Sequence, residues 1–423
     1  MDAARAVRVP VHVDVAVIGG GAAGLAAAIT AAEAGATVVV LERALECGRS
    51  ILATGGGRCN FANLELDPTR YNDPRFVTAV CGEGWLGSIL AFFRAAGLRW
   101  CREEDRLYPL SRSAASARNV LLARAQAAGV TLAPGREVHA VRPSDLGARI
   151  AYREDWDERG ISTIETRCVI VASGGVGTDE LAELALDVVA PQPVLCPLAC
   201  EPAPPSALDG RRVQARVSLT PAGADAPSHV EMGEVLFRSY GLSGIVIFNL
   251  SRRAQVGDRI TLDLTPGLPA HEIAALADPA GRGRVTDGAL DGVLDPTIAA
   301  AVIEQARSGI GAADQDVTHD TGGFTETERV ASLVKELPFV VTGPAETQHA
   351  QVTRGGLATG QFDPRTLAAR PHPWLFAAGE ALDVDGDCGG FNLAWAWRSG
   401  MVAGAAAARR AKRAAGAEEH AHA

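Results

Sequence analysis

Residues 14–42 read DVAVIGGGAAGLAAAITAAEAGATVVVLE. An apolar strand from Val13 to Ile18 runs into Gly19-x-Gly21-x-x-Gly24. A helix of small residues follows from Leu25 to Ala34, Gly35 stops it, and a second strand from Thr37 to Leu41 ends on Glu42. Strand, glycine turn, helix, strand and terminal acid in this register form a complete βαβ dinucleotide fingerprint. Gly19 allows the tight turn, Gly21 lets the backbone approach a pyrophosphate, and Gly24 lets helix and strand pack closely. The helix N-terminus at Ala22 and Ala23 offers unpaired N–H groups and positive dipole to phosphates. Glu42 is expected to accept both hydroxyls of an adenosine ribose. It also disfavours a 2′-phosphate, an effect that neighbouring Arg43 partly offsets.

With 423 residues the chain is too long for one ordinary core and suggests two or three domains. The start, MDAARAVR, leads directly into the first strand and reads as no signal peptide. No apolar run approaches the roughly 20 residues of a spanning helix, so a cytoplasmic protein without a membrane partner is expected. Eight cysteines occur without a CxxC pair, which leaves neither metal-ligand spacing nor a dithiol motif and predicts reduced thiols and no metal site. A net charge of −10 argues against nucleic acid as a partner. The basic cluster Arg409, Arg410, Lys412 and Arg413 reads as the solvated end of a final helix, and residues 416–423 as a frayed tail.

Beyond the fingerprint, residues 44–63 read as a loop containing TGGGRCN at 54–60. Helices are expected over 84–96 and 114–128, a strand over 130–133, and hairpin strands over 136–171 ending in CVIVASGG. Prolines crowd from residue 191, which marks a crossing into another domain. From there to 345, VQARVSLTP, EVLFRSYGLSGIVIFNLS and RITLDL read as strands, whereas HEIAALAD, DPTIAAAVIEQAR and TERVASLVKEL read as helices. This stretch holds no GxGxxG. The nucleotide pattern resumes at HAQVTRGGL (349–357) and PWLFAAGEALDVDGDCGGFNLAWAWRSG (373–400). The first domain is therefore expected to be discontinuous, 1–190 with 346–423. Residues 191–345 are then inserted as a substrate-side β-barrel with a helical part at about 268–337.

Two later motifs resemble those of glutathione-reductase-type flavoproteins. VIVASGG delivers Ser173, Gly174 and Gly175 to the top of a sheet. LFAAGEALDVDG places Gly379-Glu380 where such proteins carry Gly-Asp against the ribityl and phosphate part of FAD. Gly389-Gly390-Phe391-Asn392 then opens a long helix whose N-terminus can face the cofactor. With TGGGRCN and Asn63, GEVLFRSYGLSG (233–244) and QVTRGGL (351–357), these blocks make the chain similar to bacterial flavoproteins that include aminoacetone-oxidase-like proteins and the bile-acid-inducible flavoprotein N. Those are NAD(P)/FAD-dependent oxidoreductases with a Rossmann FAD domain and an inserted barrel-plus-helical domain. The chain departs from that pattern at Arg238-Ser239, where the family has Thr-His, at Ile245 for Pro, and at Phe391 for Tyr.

The resemblance implies non-covalent FAD, with the 54–60 loop beside the isoalloxazine. Gly56, Gly57 and Asn60 would lie close to its N1–C2=O edge, where negative charge develops on reduction, and Arg58 could stabilise that charge or clamp a phosphate or carboxylate within the loop. Cys59, lacking a partner cysteine, reads as a small buried hydrophobe ahead of a charge-transfer thiolate. With no second dinucleotide fold in the insert, NAD(P)H would dock transiently and leave before an acceptor such as a conjugated enone enters. An oxidase passing electrons from an amine such as aminoacetone to oxygen, and a flavin-bound regulatory protein without turnover, are the alternatives. Candidates for the proton are Tyr240 and His349, with Ser243 and Arg238 as polar contacts. A structural Tyr-Gly turn and a surface histidine are the plainer readings of the first two.

Overall fold

The computed structural model describes residues 7–157, 160–175, 179–308 and 325–421, with side chains as far as residue 416. The chain divides into two compact units, 1–192 with 352–423, and 193–351. The changeovers fall at 192/193 and 351/352, slightly beyond the expected 190/191 and 345/346. Strand Val188–Val194 on the way out pairs with strand Val352–Leu357 on the way back, so both connections are themselves regular structure.

In the first unit, β1 (His12–Ile18), α1 (Ala22–Glu33) and β2 (Val38–Glu42) realise the fingerprint. The sheet runs Thr131–Pro134, β2, β1, Ile161–Val171, and all these neighbours are parallel. Strand Leu375–Ala377 joins the C-terminal part of Ile161–Val171, also in parallel. The N-terminal part of that long strand instead pairs antiparallel with Ala148–Glu154, which pairs with Arg136–Pro143. Val15, Val17, Val39, Val40 and Ile170 are fully buried, as befits parallel strands covered on both faces.

A C-terminal helix, Phe391–Ala421, packs on α1 through glycine: a Cβ at Gly400 would stand 2.4 Å from the Ala23 carbonyl oxygen, and one at Gly404 2.3 Å from that of Ala27. The helix runs through the segment expected to fray as far as Ala421; residues 422–423 lie outside the described residues. The stretch read as a loop at 44–63 contains a short helix, Arg49–Ala53, and a two-residue strand, Ala62–Asn63. No single helix among the described residues is long and apolar enough to cross a membrane. The pair Pro74–Cys81 and Trp85–Ala95 passes by length and composition only together, bent by 55°, and it buries Val77, Ile89 and Phe93 in the core.

The second unit is a closed six-strand barrel in the order Leu198–Glu201, Gly241–Ser243, His229–Arg238, Arg212–Thr220, Arg259–Asp263, Leu337–Pro344. Helices Ala270–Ala277, Pro296–Ser308 and Glu326–Lys335 complete its core. Thr325 and Glu328 form a reciprocal capping box at the start of the last. One expectation fails here: IVIFNLS is not strand but helix, Ile245–Ser251. The run is short and opens on four consecutive apolar residues, so its periodicity cannot distinguish the two. The ladder ends at Gly244, whose φ of 108° and close approach to the Glu234 carbonyl oxygen, 2.5 Å from where a Cβ would stand, require glycine there.

Candidate cofactor and substrate site

The C-terminal ends of the parallel strands are level. Ile18 pairs with Leu41 on one side and Val171 on the other, and Val171 pairs with Ala377. The chain leaves these four ends as residues 19–24, Glu42 with Arg43, residues 172–175 and residues 378–380. This is the edge of an open α/β sheet where ligands bind.

The turns are packed against one another at glycine distance. A Cβ on Gly19 (φ 98°) would lie 2.4 Å from the Ala172 carbonyl oxygen, one on Gly24 1.9 Å from that of Gly19, and one on Gly379 (φ 64°) 2.8 Å from Cβ of Ala23. Gly175 meets Thr353 in the same way. Gly21 differs. Its φ of −79° suits any residue, and a Cβ there would meet only the mobile Oγ of Ser50, at 3.2 Å. Nothing within the chain demands glycine at 21, so the open side in front of it fits a group supplied from outside. The Ala22, Ala23 and Gly24 N–H groups precede the first intrahelical bond, Leu25 to Gly21, and open on the same side. Glu42 accepts the Gly20 N–H through Oε2 (2.6 Å) and the Ala44 N–H through Oε1 (2.7 Å). A carboxylate has about four lone-pair directions, so two remain for hydroxyl donors. These features fit an adenosine pyrophosphate. Arg43 is exposed and points toward Glu137.

The 54–63 loop and the late helix, separated by more than 300 residues, are stitched together. Asn63 Nδ2 donates to the Gly389 carbonyl (2.9 Å) and Trp397 Nε1 to that of Phe61 (3.0 Å). Asn60 donates to the Ala62 and Leu107 carbonyls and accepts from the Gly390 N–H. Arg58 is not held inside the loop. It reaches Glu103 at 3.1 Å and stacks on Tyr108, with Arg112 also on Glu103. Cys59 is buried, and burial pushes its thiol up to about 11, so it is no thiolate near neutrality. Asn392 spends its amide on the backbone of Gly386 and Asp387, and Phe391 is buried edge-on against Tyr71. Gly56 and Gly57 meet nothing within 4 Å, and neither does Gly174. Ser173 hydrogen-bonds Glu180.

Gly379 is fixed by the helix that follows it: its N–H donates to Ser399 Oγ (2.9 Å), and its carbonyl accepts from Trp395 Nε1 (3.1 Å). Burial raises the Glu380 carboxyl to about 7, against the opposing bond from the Thr353 N–H. The role of QVTRGGL emerges only in three dimensions. In the structure Arg354 grips the fully buried Asp385 with two bonds (2.8 and 2.9 Å), and Asp383 accepts the Gly355 N–H. An arginine within the strand Val352–Leu357 and an acid in a glycine-rich turn, both in motifs of the nucleotide pattern, were the available signal. A second GxGxxG spacing, residues 82–87, follows a helix, not a strand, and so lacks the βαβ setting.

In the barrel unit, Arg238 lies 3.4 Å from Asp209 and over the Tyr240 ring at 5.8 Å. Desolvation and the neighbouring Glu346 carboxylate push the Tyr240 hydroxyl up to about 12. His349 is exposed on the turn Thr347–His349, and Ser243 is buried. Tyr240 and Arg238 are thus neighbours, and Glu346 and Asp209 are the partners that sequence reading did not name. Among the described residues no group of His, Cys, Asp and Glu could hold a metal ion.

Comparison with known proteins agrees with this architecture. A family model described as the HI0933-like protein Rossmann domain matches residues 13–406. The 3-dehydro-bile acid delta(4,6)-reductase of Clostridium scindens is 30% identical over 415 residues, 94% of this chain and 99% of that protein. The ribosomal RNA dihydrouridine synthase of Escherichia coli is 25% identical over 398 residues, 91% of this chain and 96% of that protein. The open conformation of a flavocytochrome c3 fumarate reductase superposes with a TM-score of 0.50 at 16% identity, covering 95% of this chain and 78% of that one, a likeness of fold. With four strand ends, a dinucleotide turn and an inserted barrel, the chain belongs to the HI0933-like protein Rossmann-domain family and is an FAD-dependent oxidoreductase.

Proposed function

We propose that the protein is a reductase that takes two electrons from NAD(P)H and delivers them to a carbon–carbon double bond conjugated to a carbonyl, the two substrates binding in turn. The observation that carries this reading is the similarity, along nearly the whole chain, to a 3-dehydro-bile acid delta(4,6)-reductase. A Δ4,6 double bond in a 3-oxo ring and the C5–C6 bond of uridine are both alkenes conjugated to a carbonyl, so the two relatives' names share an acceptor chemistry. The acidic chain, net −10, favours the small acceptor over a polyanion.

FAD, when bound, supplies hydride transfer at its N5. The chain's own part is to bind and orient. Glu42 takes the ribose hydroxyls with its two remaining lone-pair directions. Gly21, Ala22, Ala23 and Gly24 would present N–H groups to the pyrophosphate, while Gly19, whose own N–H donates to the Leu41 carbonyl, makes the tight turn that leads to them. Ser173, Gly174 and Gly175, with Gly379 and Glu380, would hold the middle of the cofactor. The loop of Gly56, Gly57, Arg58, Cys59 and Asn60 and the helix entrance at Gly390, with the backbone of Phe391 and Asn392, would hold its reacting end. The acceptor needs a proton as well as a hydride. Tyr240, which keeps its proton far above neutrality and is coupled to Glu346, is the insert's candidate ahead of exposed His349, with Arg238 holding the ring.

The test is anaerobic stopped-flow reduction of the FAD-loaded protein by NADH and NADPH, followed by reoxidation with a steroid enone, a cyclic enone, uridine-containing ribosomal RNA and oxygen. Rapid bleaching by a nicotinamide and reoxidation by enones is the expected result. Bleaching by an amine with oxygen as the sole reoxidant would replace the reading with an oxidase. Reoxidation by RNA alone would replace the small acceptor.

A further inference from the structure

Four acids, Glu380, Asp383, Asp385 and Asp387, crowd the segment that follows Gly379. Two of them have cations. Asp385 is fully buried in the fork of Arg354, and Asp387, also buried, takes Arg70 at 3.4 Å. Asp383 instead accepts the Gly355 N–H (3.0 Å) and the Asn72 amide (3.3 Å). Glu380 forms no ion pair among the described residues and is supported by the Thr353 N–H alone.

Three elements pack against the turn that carries Glu380. Strand Val352–Leu357 brings one charge, Arg354, which is closed on Asp385. α1 brings none before Glu33 at its far end. The helix Phe391–Ala421 brings none before Arg398, which turns away to the Cys81 carbonyl (2.9 Å) and Ser88 Oγ (3.4 Å). The strongest charge felt by Glu380 is therefore the like charge of Asp385, which together with desolvation favours the neutral acid.

Gly379 fixes where this acid stands. A Cβ on Gly379 would lie 2.8 Å from Cβ of Ala23, in the first turn of the helix whose N-terminus fits a pyrophosphate. A bound pyrophosphate brings two negative charges to the neighbourhood of a carboxyl that no cation shields. We propose that loading of FAD is coupled to uptake of one proton at Glu380, so that the cofactor is held by the neutral acid and loosens as that acid ionises. The proton comes from solvent and bonds to a carboxyl oxygen, and no electron moves. This rests on the reading that the pyrophosphate lies on residues 19–24, and it is independent of the acceptor.

The experiment is calorimetric titration of FAD into the FAD-free protein, at fixed pH in two buffers of different ionisation enthalpy, which counts the protons exchanged. Wild type should take up about half a proton per FAD at pH 7 and about none at pH 5, and its Kd should rise about five- to tenfold between pH 6 and pH 8. Glu380→Gln should bind FAD without uptake and with a flat pH profile, whereas Asp383→Asn should keep both the uptake and the slope. Glu380→Asp retains an ionisable group and serves where the glutamine variant fails to load: its profile should keep the slope but move along the pH axis. Wild type that binds FAD without uptake at pH 7 overturns the proposal. So does uptake intact in Glu380→Gln, or a Glu380→Asp profile that superimposes on wild type. Wild type that binds no FAD at any pH overturns the cofactor reading together with the proton site.

Discussion

Glu42 shows how a residue legible in the sequence acquires a second duty in the fold. Its place at the end of the second strand announced a ribose contact, whereas its bonds to the Gly20 and Ala44 N–H groups depend on the turn around it. Glu42→Ala should therefore weaken FAD binding by about 1–3 kcal/mol and also destabilise the FAD-free protein, the scale for losing hydrogen bonds to a charged group. Denaturant unfolding without FAD and an FAD titration check the two effects. An unchanged dissociation constant would confine Glu42 to the turn. Glu380 was legible as a position but not as a titrating group, because its environment is made by Thr353 and Asp385 from other parts of the chain. Its carboxyl titrates near 4.5 when unfolded and about 7 when folded. Between these values the folded state keeps a proton that the unfolded chain has released, so stability falls as pH rises through this window and levels off above it. Glu380→Gln should remove that slope, worth up to about 3 kcal/mol. Unfolding free energies of the FAD-free proteins at about pH 5 and pH 8 measure it, and parallel profiles for variant and wild type would refute the assignment.

Among the elements, the βαβ unit was readable because each of its signals is local: apolar run, glycine spacing, helix stop, terminal acid. The helix Ile245–Ser251 was not, since a short run that opens on four apolar residues suits strand and helix equally and the barrel decides between them. The crossing of α1 with the C-terminal helix was also invisible. Gly400 and Gly404 look like helix-weakening residues until the Ala23 and Ala27 carbonyls are placed against them. Gly404→Val should cost about 1–3 kcal/mol through overpacking. It should also lower FAD occupancy, because the same crossing brings Gly379 against Ala23. Thermal unfolding and the flavin-to-protein absorbance ratio report the two losses. Full stability in the variant would mean that the helices part without penalty.

The molecule as a whole has two hydrophobic cores that share no residue, one in each unit. Calorimetry should therefore resolve two transitions, with FAD at a hundredfold its dissociation constant stabilising one of them by about 2.7 kcal/mol. Phe237→Ala, a fully buried ring in the barrel, should lower the other by about 3–5 kcal/mol and leave FAD content unchanged. A single transition moved by both would show that the units unfold as one. The FAD itself should be released by acid precipitation, since no histidine lies in a recognisable attachment motif; colour kept in the pellet would contradict this. By itself the sequence determined the dinucleotide turn and the cofactor class, because glycine spacing and hydrophobic period act over a few residues at a time. Only the tertiary structure decided which charges are satisfied. Arg58 finds Glu103 and Arg354 finds Asp385, pairings over long stretches of chain. An ion pair depends on distance in space, and no spacing along the chain encodes it.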